Sequence, residues 1–135
     1  MVWSAKYLTG NKLIDDDHKM IFDMARDIID QKFVSRGEKI TKVMTFLSDY
    51  TRQHFRREEQ LMRDCDYPDI DTHNKQHEAF IGIITALQSK LSADGDSLDM
   101  SLEINDSLVA WLVDHVLGSD KQLAKYYREW VRKET

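Results

Sequence analysis

ITKVMTFLSDYTRQHFRREEQLM, residues 40–62, places apolar side chains at Ile40, Val43, Met44, Leu47, Leu61 and Met62, with Thr51, His54 and Glu58 filling the steps between them. The steps are of three and four residues, the spacing that lines up side chains on one face of an α-helix. His54 and Glu58 therefore leave that face one turn apart, an imidazole above a carboxylate. Where such a face meets water the pair is ordinary. Where it meets the core, both groups need a strong partner, because burying a polar group without one costs about 1–3 kcal/mol.

The rest of the chain repeats the pattern. Upstream, IDDDHKMIFDMARDIIDQKFV sets Ile14, Ile21, Phe22, Ala25, Ile28 and Ile29 close to helical spacing. The acids Asp15, Asp16 and Asp17 suit a helix start, where carboxylates cap free amides and complement the dipole. SRGE, around Gly37, separates this segment from the next. Downstream, DCDYPD ends the second helix, since the residue ahead of Pro68 is biased away from helical backbone. A third stripe runs Ile70, His73, His77, Phe80, Ile81, Ile84, Leu87 and Leu91 and closes in SADGDS at Gly95; a fourth runs Leu98, Leu102, Leu108, Trp111, Leu112 and His115, up to Gly118. DKQLAKYYREWVRK continues the fourth helix or forms a fifth. Four helices of roughly 20 residues with short connections predict an all-α, up-down-up-down four-helix bundle with an N-terminal arm and a short C-terminal helical segment.

Composition narrows the function classes. A chain of 135 residues with 41% hydrophobic content fits one domain, residues 1–135, with a core of its own. The formal net charge is −5 and the basic residues are scattered among acids, which disfavours a nucleic acid or an anionic membrane as partner. The first residues, MVWSAKYLTGNKL, lack the apolar run of a signal peptide, and no stretch approaches 18 apolar residues, so a cytoplasmic protein is expected. Cys65 is the sole cysteine and excludes an intramolecular disulfide.

The histidines carry the chemistry. There are five, His18, His54, His73, His77 and His115, each on or beside an inward stripe. A lone inward histidine is explained by a hydrogen bond to a neighbour, but a helical core has already committed its carbonyls within the helices and lacks acceptors for five. His73 and His77, four apart, have the separation that lets two imidazoles bind one metal from consecutive turns. In an up-down bundle His18 is early in helix one, His54 late in helix two, His73 and His77 early in helix three and His115 late in helix four. All four helices thus deliver imidazole to the same end of the core, which predicts a metal site there.

In their order, His18, HFRREE, HNKQH and HVLGSD, with WSAKY near the start, these residues resemble the hemerythrin family, and the length resembles its single-domain bacterial members, the bacteriohemerythrins. The resemblance implies a non-haem centre of two iron ions, hydroxo- or oxo-bridged, that binds O2 reversibly. It implies that His73, His77 and His115 hold one iron, that His18 and His54 hold the other, and that Glu58 and Asp120 bridge them. Asp120 lies five residues past His115, which on an ideal helix turns it about 140° away; Gly118 is expected to permit the widened turn that swings it back. Five neutral imidazoles, two carboxylates and a hydroxide against two ferrous ions leave a small positive charge, so the ligand set largely neutralises the metals. The Glu-x-x-His signature of carboxylate-rich di-iron proteins is absent from the chain.

On this resemblance the second iron keeps one position for O2. Leu112 and Ile21 are the leading candidates for an apolar wall around it; Phe22, Phe55, Trp111 and Phe80 are further candidates that also suit plain core packing. Asp17 stands where relatives usually show glutamine, and this extra acid beside His18 is expected to alter hydrogen bonding near the second iron. The expected function is oxygen carriage, storage or delivery, not enzymatic turnover, with O2 as ligand, small anions such as azide as competitors, and a protein that receives O2 as an eventual partner. The alternatives are a module sensing O2 or nitric oxide, and a peroxide or nitric oxide reductase at the same metals.

Overall fold

The computed structural model describes residues 4–30, 39–95 and 97–134. After a 3-10 turn at Ala5–Tyr7 come helices α1 (Lys12–Asp30), α2 (Ile40–Asp64), α3 (Ile70–Asp94) and α4 (Leu98–His115), then a π-helical segment at Val116–Asp120 that runs directly into α5 (Lys121–Glu134). Helix α1 packs against α2 and α4, and α3 closes the ring between α2 and α4. The result is the four-helix bundle expected from the stripes, with no strand among the described residues. The break read around Gly37 lies outside the described residues. None of the described helices is long and apolar enough to cross a membrane.

Two apolar clusters fill the bundle. The larger holds Ile21, Phe22, Leu47, Phe55, Phe80, Ile84, Leu108 and Leu112 among others. The smaller, toward the other end, holds Ile14, Leu61, Met62, Cys65, Tyr67 and Leu123, with Tyr126, Tyr127 and Trp130 of α5 packed against it. Along each helix the histidines fall between the two: His18 between Ile14 and Ile21, His54 and Glu58 before Leu61, His73 and His77 before Phe80, His115 after Leu112. A polar layer is thus sealed above and below by hydrocarbon, which lowers the local dielectric and strengthens every charge interaction inside it.

The N-terminal arm is more than a polar lead-in. Tyr7 is buried against Phe22, ring centroids 5.0 Å apart. The Asp15 carboxylate accepts from the Thr9 amide and hydroxyl, both at 2.8 Å, and from the Gly10 amide at 3.2 Å. Gly10 has φ +91°, which favours glycine; a Cβ there would meet only the far end of the flexible Arg128 side chain, which can swing aside.

Two expectations are corrected. The acidic run does not cap α1 as a block. Asn11 Oδ1 accepts from the Ile14 amide, Asp15 ties down the arm, Asp16 pairs with Lys12 on the surface, and Asp17 turns inward and is buried. Leu98 and Leu102 are exposed, and the inward positions of early α4 are Met100, Ser101, Ile104 and Asn105. The helix faces the core in the register set by Leu108, Leu112 and His115. Counting back from these reaches Ile104 and Ser101, and Asn105 is satisfied by donating to the Ala25 carbonyl at 3.2 Å.

Candidate metal centre

Seven side chains meet in the polar layer: His18 from α1, His54 and Glu58 from α2, His73 and His77 from α3, His115 at the end of α4, and Asp120 from the π segment. All are buried, and Glu58 and Asp120 are 0% exposed. Asp120 arrives because the π segment bonds over a longer interval than an α-helix, bringing residues five apart to one face. Gly118 contributes less than its position suggests. A Cβ there would meet nothing within 4 Å and its φ is not positive, so the wide turn and not the glycine places Asp120.

Each carboxylate faces both ways. Glu58 Oε1 lies 2.9 Å from His73 Nε2, 3.0 Å from His77 Nε2 and 4.0 Å from His115 Nε2. Its other oxygen, Oε2, lies 2.7 Å from His54 Nε2 and 3.7 Å from His18 Nε2. Asp120 Oδ1 lies 3.0 Å from His115 Nε2 and 3.2 Å from His73 Nε2, while Oδ2 lies 2.8 Å from His18 Nε2. Two groups of possible ligand atoms follow, Glu58 with His73, His77, His115 and Asp120, and Glu58 with His18, His54 and Asp120, each spanning no more than 4.8 Å. The two carboxylates belong to both.

Two of these contacts, from His73 Nε2 and His77 Nε2 to Glu58 Oε1, have hydrogen-bond geometry; the others are close without being aligned. Buried His18 Nε2, His54 Nε2, His115 Nε2, Glu58 Oε2 and both Asp120 oxygens make no aligned hydrogen bond. Six orphaned atoms in one sealed layer are what a native core avoids, unless they point at a shared third party. Imidazole nitrogen and carboxylate oxygen suit a borderline transition metal such as iron, so the donor set fits the group expected from the sequence.

The outward nitrogens are held in part by neighbours. His54 Nδ1 lies 2.9 Å from Asp17 Oδ2, and His115 Nδ1 lies 2.7 Å from Gln76 Oε1, which also accepts from Ser119 Oγ at 2.6 Å. Such contacts fix the tautomer that leaves Nε2 free inward. Asp17 further accepts from Tyr50 and Arg57. Sequence reading flagged Asp17 but missed Tyr50, Arg57 and Gln76. The signal was there for two of them: Tyr50, His54 and Arg57 are spaced four and three apart, hence on one face of α2.

The apolar candidates divide. Phe55 stacks on His77 (centroids 3.8 Å, planes 9° apart) and Trp111 on His115 (4.4 Å, 21°), so both brace imidazoles of the three-histidine group. Phe80 backs Trp111 at 4.4 Å. Ile21 and Leu112 lie in the apolar layer one turn below His18 and His115, as does Thr51 below His54, fully buried with an unpartnered hydroxyl.

Protons and metal compete for this layer. Burial alone would lower the His18 pKa, but the Asp120 and Glu58 carboxylates overcome it and raise it to about 10. The same opposition leaves His73 at about 9. Glu58 and Asp120 resist burial through their histidine neighbours and stay well below the usual carboxylate range, whereas burial prevails at His77 and lowers it. Asp17, which burial would raise, is pulled to about 2 by His54, Arg57 and Tyr50. For His18 and His73 the folded value exceeds the ordinary 6.5, so their stabilising charge is complete below pH 6.5 and is lost as pH rises through 9 to 10. The metal-free protein is expected to lose stability progressively from pH 6.5 to 10, measured by urea unfolding at a series of pH values. A flat profile across that window would contradict the proton-filled layer.

Residues 9–127 match the hemerythrin HHE cation-binding domain. The chain is 33% identical over 120 residues to a bacteriohemerythrin of Pseudomonas aeruginosa, covering 89% of this chain and 76% of that one. It is 32% identical over 122 residues to a bacteriohemerythrin of Methylococcus capsulatus, covering 90% and 92%. A crystal structure of wild-type hemerythrin superposes with a TM-score of 0.77 at 32% identity, covering 94% of this chain and 97% of that one. The imidazole and carboxylate layer therefore sits in a bundle whose sequence and shape agree on one lineage, and the chain belongs to the hemerythrin family.

Proposed function

We propose that residues 1–135 form a di-iron domain that binds O2 reversibly, as an oxygen carrier, store or delivery protein. The observation that carries this reading is the two-sided placement of Glu58 and Asp120: Glu58 has one oxygen toward three imidazoles and the other toward two, and Asp120 has one toward two and the other toward one. His73, His77 and His115 would hold one iron, His18 and His54 the other, with both carboxylates shared. Iron supplies the electrons that O2 takes up on binding and recovers on release. The protein's part is to fix five Nε2 atoms, to supply two buried anions that balance the metals, and to exclude bulk water. The uneven division of imidazoles supports binding at one metal only, since an iron held by His18 and His54 would have fewer protein ligands. Ile21 and Leu112 would wall that side, where azide would compete.

The test is metal content and absorption together. Anaerobic loading should give two irons per chain. Air should bring up a visible band that evacuation removes over repeated cycles. One iron per chain in a saturated sample would refute the pairing, and irreversible bleaching with turnover of peroxide or nitric oxide would refute carriage.

A further inference from the structure

Asp17 is a buried acid that the ligand set leaves over. It is 5% exposed and takes four hydrogen bonds. Tyr50 Oη donates to Oδ1 at 2.9 Å, Arg57 donates through Nη2 to Oδ1 at 2.7 Å and through Nε to Oδ2 at 2.6 Å, and His54 Nδ1 donates to Oδ2 at 2.9 Å. The guanidinium also lies over the Tyr50 ring, 5.7 Å from its centroid. Every one of these donors sits on a single face of α2, and Asp17 reaches them from α1. No other outward histidine nitrogen among the described residues meets a carboxylate; His115 meets a neutral amide, and His18, His73 and His77 have unpartnered Nδ1 atoms.

This asymmetry falls on the two-histidine group. A carboxylate that holds the Nδ1 proton makes the opposite nitrogen a stronger donor to a metal, and fixes the ring's direction. The bidentate guanidinium, charged at every accessible pH, opposes that effect by holding the carboxylate's charge to itself. Asp17 and Arg57 cancel in net charge, so removing either leaves one uncompensated charge of known sign next to His54.

We propose that Asp17 is a positioning residue that acts through His54 on the two-histidine iron, and that Arg57 sets how much of its charge reaches that iron. The inference rests on the di-iron reading above. More negative charge at His54 would favour a ferric ion there, and less would favour a ferrous one. The pair would thereby tune the iron held by fewer imidazoles, while among the described residues no carboxylate meets the outward nitrogens of His73, His77 or His115.

Reduction potentials of the iron-loaded full chain test this. D17N keeps the side-chain shape and one acceptor but removes the anion, so the potential should shift positive and the second iron should bind roughly 10- to 100-fold more weakly. R57M frees the anion, so the potential should shift negative and conversion to the ferric form should quicken. A purely structural clamp would loosen His54 in both variants and move both potentials the same way. Shifts of one sign, or no shifts, overturn the inference. If D17N loads too little iron to measure, R57M alone decides, since a null or positive shift there is already fatal. In metal-free protein the His54 Nδ1 proton should resonate far downfield and move upfield in D17N; an unmoved resonance also overturns the inference. Failure of the di-iron reading is distinct, because it appears in the parent as fewer than two irons per chain.

Discussion

Glu58→Ala is expected to leave a protein that cannot hold a pair of irons and gains little or no stability from iron. Among the described residues, Glu58 alone has oxygens within 4.0 Å of all five histidine Nε2 atoms. Removing it deletes a candidate ligand atom from both groups in one step. It also strands the raised imidazoles of the metal-free state without one of their two anions, and breaking such a buried pair costs about 3–5 kcal/mol. Since a metal site completed by folding contributes its binding free energy to folding, the loss should show twice, as a lower melting temperature without iron and as the disappearance of the upward shift on loading. Glu58→Gln separates the two effects, because it keeps the volume and loses the charge. Iron analysis and thermal melts of all three proteins give the answer. An alanine variant that holds two irons with the parent's spectrum would remove Glu58 from the centre.

Leu112→Ala should give the second largest change, but in lifetime and not in affinity for iron. Leu112 is 3% exposed, one turn before His115 and in the same apolar cluster as Ile21. Truncation opens a cavity worth about 2–5 kcal/mol of stability whether or not O2 ever visits it, so a melting curve cannot distinguish wall from core. The decay of the oxygenated absorption band can. If Leu112 keeps water and small anions from the two-histidine iron, the variant should convert to the ferric form faster and take up azide more readily, with iron content unchanged. Equal decay in parent and variant would return Leu112 to ordinary packing.

The bundle was legible because its evidence is redundant. Four stripes, each of many residues, tolerate a few misplaced members. The convergence of the histidines was legible for a related reason: helix direction and position along the helix follow from connection length alone. Leu98 and Leu102 misled because a leucine at helical spacing looks inward from sequence whichever side the helix turns, and only packing against α1 settles the rotation. Asp17 was harder. Its neighbours Asp15 and Asp16 go to the arm and to a surface pair with Lys12, and nothing local distinguishes the third acid from the first two. Its partners, Tyr50, His54 and Arg57, are more than thirty residues away, and a tertiary hydrogen bond has no period to read. Gly118 drew attention because glycine is the usual sign of irregular backbone, yet a π turn needs only an altered hydrogen-bond interval and admits ordinary residues.

The wide turn at Val116–Asp120 has a consequence for anyone who wishes to build this centre elsewhere. Seven side chains copied onto straight, ideal helices would reproduce six of their positions and send the seventh toward the outside of the bundle. The count of five between His115 and Asp120 is as much a part of the site as the groups themselves, a spacing rule written in the backbone. A transplanted design has to carry that irregular stretch intact, along with the run of α5 beyond it, whose Leu123 packs in the smaller cluster, on the side of the layer away from Ile21 and Leu112.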